Sequence, residues 1–200
     1  MSSEHCATAA VADSIDLSPA TETVVLVEGV SDQRAVEALA RRAGRDLAAE
    51  RIAVLAMGGA TNITRYLETF GPHGHNLTVA GLYDQAEERF FARGLVRAGF
   101  GPTTSPADHG FFVCVADLED ELIRALGVTR LEGILAANGD LASFRTFQRQ
   151  PAQRAKRDDV RLRRFMGTHS GRKIQYATLL VDALDPGQVP RPLRDLLGQL

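Results

Sequence analysis

The chain has 200 residues, 44% of them hydrophobic, and its 23 basic and 25 acidic residues give a formal net charge of −2. That size and apolar content suffice for one proper core, and the charge balance excludes a polycation that coats nucleic acid along its whole length. No apolar run approaches the roughly 18 residues of a membrane span. Cys6 and Cys114 suit neither a disulfide framework nor a zinc spacing, so a cytoplasmic location is expected.

In chain order, residues 1–21 are small and polar, without a basic n-region or an apolar h-region, and read as a disordered tail rather than a signal peptide. The run Val24 to Val27 makes residues 23–28 a first strand. Ser31 or Asp32 caps a helix over 31–43, with Ala35, Val36 and Leu39 at helical spacing. Residues 51–57 form a second strand ending in Gly58-Gly59, and 62–70 a helix closed by Gly71-Pro72. Residues 77–82 form a third strand ending at Asp84, and 85–98 a helix. A fourth strand over 110–115 leads into an acidic helix over about 117–126. Beyond Gly127 helices are predicted at 129–137, 140–149 and 172–184, then a short terminal helix.

This alternation predicts an α/β fold with a parallel sheet flanked by helices. Such sheets bind ligands at the carboxyl ends of their strands. Glu28, Gly58-Gly59, Asp84 and Asp117 all fall at those ends. The expected organisation is a tail over 1–21, a core over 22–127 and a helical, basic extension over 128–200.

The segments Leu26-Val27-Glu28-Gly29-Val30-Ser31-Asp32, Met57-Gly58-Gly59-Ala60-Thr61-Asn62 and Ala80-Gly81-Leu82-Tyr83-Asp84 occur in the order of a TOPRIM (topoisomerase–primase) domain. The sequence resembles most the variety found in overcoming-lysogenization-defect (OLD) nucleases, over roughly residues 22–185. The resemblance implies a Rossmann-like TOPRIM fold and metal-dependent phosphodiester hydrolysis. It implies Glu28 as metal ligand or general base, Asp32 and Asp84 as metal ligands, an acid after the fourth strand (Glu119 first, Asp117 next), and Lys173 as a catalytic lysine. OLD nucleases carry an ATPase domain on the same chain. This sequence has no Walker-type loop, so a separate ATPase subunit is an implied partner.

The residues themselves leave bland readings open. Glu28 is either a strand-end group bonded to backbone or a magnesium or manganese ligand, since such ions take hard oxygen donors. Asp32 is compatible both with a helix-dipole acid and with a ligand. Asp117 and Glu119 belong to a cluster that suits a solvated first turn equally well. Gly58, Gly59 and Asn62 form either a phosphate-holding turn or a plain tight turn with Asn62 as N-cap. The family pattern has Asp-x-Asp after the third strand. Here it reads Asp84-Gln85-Ala86, so the second acid is missing. Glu87, three residues beyond Asp84, lies near enough to swing toward the site. Restoring Asp at position 86 is expected to strengthen metal binding unless Glu87 already fills the role.

Residues 145–173 hold ten basic residues against Asp158 and Asp159, a net of +8 that leaves −10 for the rest of the chain. Arg154, Lys156, Arg157, Arg161, Arg163, Arg164 and Arg172 are read as a phosphate-backbone track, separate from the acidic site. The alternative is that these arginines pair with acidic surface, including across a homodimer. Phe144, Phe147 and Phe165 interleave with them and suit a core better than a base-stacking platform. The resulting expectation is a Mg²⁺- or Mn²⁺-dependent nuclease or nicking enzyme acting on nucleic acid, DNA before RNA. The rival is a TOPRIM module that binds metal and nucleic acid or nucleotide without turnover.

Overall fold

The structure, a computed structural model, describes residues 17–101 and 105–200. The expected N-terminal tail lies largely outside the described residues. The strands are β1 (Thr23–Val27), β2 (Ile52–Ala56), β3 (Thr78–Asp84) and β4 (Phe111–Cys114). They form one sheet in the order β2-β1-β3-β4, all parallel. β1 is central because its residues can be buried on both faces: Val24, Val25, Leu26 and Val27 are fully buried.

The helices are α1 (Val30–Arg42), α2 (Ile63–Phe70), α3 (Glu88–Arg97), α4 (Leu118–Leu126), α5 (Val128–Ala137), α6 (Leu141–Gln148), α7 (Pro151–Arg154), α8 (Asp158–Met166), α9 (Ser170–Ala183) and α10 (Arg191–Gln199). Alternation along β1 sorts them into two layers. Val24 and Leu26 pack with Ile63 and Leu67 of α2 and with Phe91 and Leu95 of α3. Val25 and Val27 share the other cluster with Val36 of α1, Leu122 of α4, Val181 of α9 and Leu196 of α10. The segment beyond Gly127 therefore shares one core with the sheet. Truncating a fully buried anchor of that core, such as Val181 or Leu196 to Ala, would cost on the order of 2–5 kcal/mol. No helix among the described residues is long and apolar enough to cross a membrane.

α9 lies along α1. Arg42 of α1 donates to the carbonyl oxygens of Val181 and Leu184 (2.7 Å for the latter), satisfying acceptors that the end of α9 leaves open. This contact fixes the axial position of α9, and so the height of Lys173 in its first turn.

The predicted elements agree with the observed ones to within a few residues, with two main differences. Residues 85–87 of the helix expected over 85–98 form a 3₁₀ turn. The basic segment folds into α7 and α8, which charge density hid. The stripe Leu162, Phe165 and Met166 is buried, and Phe165 packs against Phe144 and Phe147 with ring centroids 5.3 and 5.6 Å apart. These rings are core.

Candidate metal and phosphate site

The carboxyl ends of the strands open into a cavity of about 360 Å³. Its wall holds Glu28, Asp32, Asp84, Asp117 and Glu119 together with Lys173. The fold brings the expected acids and the lysine to one place, and the local reasons differ.

Glu28 follows β1 directly. Its own carbonyl accepts the N–H groups of Gly58 (3.0 Å) and Gly59 (3.1 Å), which ties the end of β1 to the turn after β2. Both glycines have positive φ, 73° and 124°, a geometry that side chains resist. Asn62 donates to the carbonyl of Met57 at 2.9 Å and so clamps the same turn. These bonds suit the plain tight-turn reading of Gly58, Gly59 and Asn62 better than the phosphate-holding one. The two amides are already spent on Glu28, Asn62 makes no N-cap acceptor bond, and the turn positions Glu28.

Asp32 sits in the first turn of α1 and accepts the N–H of Gly29 at 2.9 Å. Burial, then the charge of Glu119, pushes its carboxyl up to about 7 despite that bond. Asp84 ends β3. Burial, then Glu28, Asp117, Asp32 and Glu87, pushes it up to about 8. Glu87 is raised as well, by burial and then by Glu28. Oxygens of Glu28, Asp84 and Glu87 lie within 4.8 Å of one another, so Glu87 joins the site that the Asp-x-Asp spacing alone would have denied it.

Asp117 and Glu119 enter from the turn into α4. Asp117 Oδ1 accepts the N–H of Asp120 at 2.8 Å, as the N-cap, and Oδ2 accepts from Arg163 Nε at 2.7 Å. Both oxygens are therefore engaged. Glu119 is only 5% exposed. Its Oε1 meets Lys173 Nζ at 3.1 Å, and its Oε2 is buried without a hydrogen-bond partner. Burial raises the Glu119 carboxyl even against the Lys173 charge. Burial works to lower the Lys173 ammonium, but Glu119 and Asp32 outweigh it, so the pKa is raised and the lysine stays charged. Glu121, which sequence reasoning passed over as one of a solvated run, is buried. It accepts the N–H of Val115 at 3.0 Å and pairs with Arg124 at 2.6 Å, holding the β4–α4 turn that carries Asp117 and Glu119.

The donor set is all carboxylate oxygen, the hard chemistry that suits Mg²⁺ or Mn²⁺ rather than zinc or copper. The orphaned oxygens of Glu87 and Glu119 fit the same reading, since a buried acceptor without a partner asks for a cation or a proton.

The basic segment is not separate from this site. A second cavity, of about 530 Å³, shares Asp117, Glu119 and Lys173 with the first and adds Arg163, Arg164 and Val160. The expected track also divides in two. Arg161 is consumed by the fold: it donates to the carbonyl oxygens of Gln153 (3.0 Å) and Arg154 (2.5 Å) and pairs with Asp158 at 2.8 Å. Arg172 donates to Thr168 at 2.8 Å, lies 3.3 Å from Asp140 and stacks 4.2 Å over the ring of Phe165. Arg157 pairs with Asp159, and Arg154 donates to the Arg149 carbonyl. Arg164 is exposed, and neither it nor Lys156 has an ion-pair or hydrogen-bond partner for its side chain among the described residues.

Residues 21–85 match the family model for the overcoming lysogenization defect protein-like TOPRIM domain. Among solved structures, the C-terminal region of the Xanthomonas campestris pv. campestris OLD protein superposes with a TM-score of 0.68 at 24% identity, covering 89% of this chain and 93% of that one. The C-terminal region of the Burkholderia pseudomallei OLD protein gives a TM-score of 0.65 at 19% identity, covering 90% and 96%. No curated protein matches the chain. Fold and motif order agree, and the chain is a TOPRIM-fold protein resembling the C-terminal region of OLD proteins.

Proposed function

We propose that this chain is a divalent-metal-dependent phosphodiester hydrolase acting on nucleic acid, with DNA as the first substrate to test. The observation that carries this reading is the carboxylate cavity at the strand ends, bordered on one side by Lys173, Arg163 and Arg164. Acids alone would repel a phosphate. Acids that gather a cation beside fixed positive side chains can hold one.

Glu28, Asp32, Asp84 and Glu119 are the residues that would hold Mg²⁺ or Mn²⁺. When bound, such an ion supplies Lewis-acid polarisation and charge neutralisation at a phosphodiester. The chain supplies the rest. Glu28, at the tip of the central strand, is placed to accept a proton from an attacking water. Lys173 remains an ammonium beside Glu119 and stabilises negative charge developing on phosphate oxygens. Arg164 carries a free guanidinium that suits bidentate contact with the backbone.

The missing acid at Ala86 favours a second reading, a module that binds metal and nucleic acid without turnover. A plasmid-nicking assay in Mg²⁺ or Mn²⁺, with Glu28→Gln as control, separates the two. Nicking that falls to background in Glu28→Gln supports hydrolysis, whereas metal and DNA binding without nicking supports the binding module. A hydrolase that works only with a separate ATPase would co-purify with it and nick in its presence.

A further inference from the structure

We propose that Glu87 supplies the carboxylate that the sequence lacks at Ala86. With Glu28 and Asp84 it completes the one divalent-ion position, among the described residues of this cavity, that no cation of the protein already neutralises. The proposal rests on the metal-binding reading given above.

The reason lies in the backbone after β3. Residues Gln85–Glu87 form a single 3₁₀ turn rather than the start of an α-helix. Asp84 is the extended N-cap of this turn, and the turn carries the chain back so that the Glu87 carboxylate lies beside that of Asp84. Position 86 faces elsewhere: Ala86 is exposed, and Glu87 is not. An acid at 86 would point at solvent, and an acid at 87 points at the site. Carboxylate oxygens of Glu28, Asp84 and Glu87 lie within 4.8 Å of one another. Octahedral coordination at about 2.1 Å spaces ligand oxygens about 3 to 4 Å apart, so a small inward movement closes the triad on an ion.

Two further observations point to a ligand. Glu87 Oε2 is buried without a hydrogen-bond partner, and so is Oε2 of Glu119, a residue 5% exposed on the wall of the cavity that Glu28 and Asp84 line. The cations of the protein stand on the other flank. Lys173 is on Glu119 and Arg163 is on Asp117, while Glu28, Asp84 and Glu87 take part in no ion pair among the described residues. An ion entering at the triad breaks no ion pair among the described residues.

The test is calorimetric titration of the full chain with Mn²⁺ alone, on wild type, Glu87→Gln, Glu87→Asp and Ala86→Asp. The expected result is one tight event in wild type, weakened about tenfold or more in Glu87→Gln, and unchanged in Ala86→Asp. Glu87→Asp keeps the charge but withdraws its oxygens, and it should also bind more weakly. It decides the matter if the Gln variant does not fold. Wild-type affinity in both Glu87 variants, or a gain in Ala86→Asp, overturns the role of Glu87 while leaving the metal reading in place. Absence of any Mn²⁺ binding by wild type overturns both.

Discussion

The acids on β1 and β3 and the acids on α4 share one cavity but differ in what balances them. Asp117 and Glu119 each meet a cation carried by the C-terminal helices, Arg163 on α8 and Lys173 on α9. Glu28 and Asp84 meet none among the described residues. One flank has its charge offset by cations of the protein, and on the other only protons or an added cation can reduce the repulsion. The α4 flank is thus part of the fold's own stability, whereas the strand flank carries like charges that no ion pair among the described residues offsets.

The largest effect of breaking this contrast should come from Lys173. Glu119 is buried, and the ammonium is its only ion-pair partner among the described residues. Lys173→Ala leaves that carboxylate buried and unpaired, at a cost on the order of 1–3 kcal/mol. Adding Glu119→Gln should recover most of the loss. The same truncation at Arg163, an exposed pair, should cost less than about 1 kcal/mol. Thermal melts of the three variants would check the order. Equal melting points for Lys173→Ala and wild type would show that Glu119 is held by something other than the pair.

The strand flank makes the second prediction. In the metal-free fold Asp84 is pushed up to about 8 and Asp32 to about 7, against 3.8 for both in the unfolded chain. The folded state holds protons that the unfolded chain has released. The resulting stabilisation is complete below pH 3.8 and is lost as pH rises through 7 to 8. A divalent cation takes over from those protons, so the rise in melting temperature on adding Mg²⁺ or Mn²⁺ should grow across the same window. Melting curves in chelator and in metal, taken from acid to mildly alkaline pH, measure it. Parallel pH profiles with and without metal would separate these carboxyls from the ion.

A smaller effect should follow Arg163→Ala. Asp117 Oδ2 then loses the donor that engages it. A weak second Mn²⁺ event should appear, or tighten, while the first is unchanged. If the second event is already as tight as the first in wild type, Arg163 does not guard that position.

Much of this was legible because the signals were local. The apolar run of β1 ending in Glu28, the Asp84 terminus of β3 and the acidic first turn of α4 each announce a strand end, and a parallel sheet gathers strand ends on one side. Lys173 lies 54 residues beyond Glu119, and its place came only from the family resemblance. The structural reason is long-range: α9 docks along α1 through Arg42. The role of Glu87 turns on one 3₁₀ turn, which periodicity over a longer window averages into a helix. The arginines show the opposite failure. Composition counts charges, and cannot tell a guanidinium spent on carbonyls from one left in solvent.

That distinction gives the last and smallest effect. If a phosphate backbone lies beside the site, each cation it truly uses should contribute about one unit to the slope of log affinity against log salt. Arg164 and Lys156 have no side-chain partner among the described residues, and replacing both by Ala should flatten the slope by up to about two units with little change in melting temperature. Arg161 carries the same formal charge but is bound to Gln153, Arg154 and Asp158. Arg161→Ala should therefore lower the melting temperature and leave the slope alone. Fluorescence-anisotropy titrations at several salt concentrations, beside melts of the same variants, resolve the two groups. If Arg161→Ala flattens the slope as much as Arg164→Ala, the arginine leaves its carbonyl partners when nucleic acid arrives. A wild-type affinity indifferent to salt would remove nucleic acid from the reading and leave the basic helices as fold-stabilising cations alone.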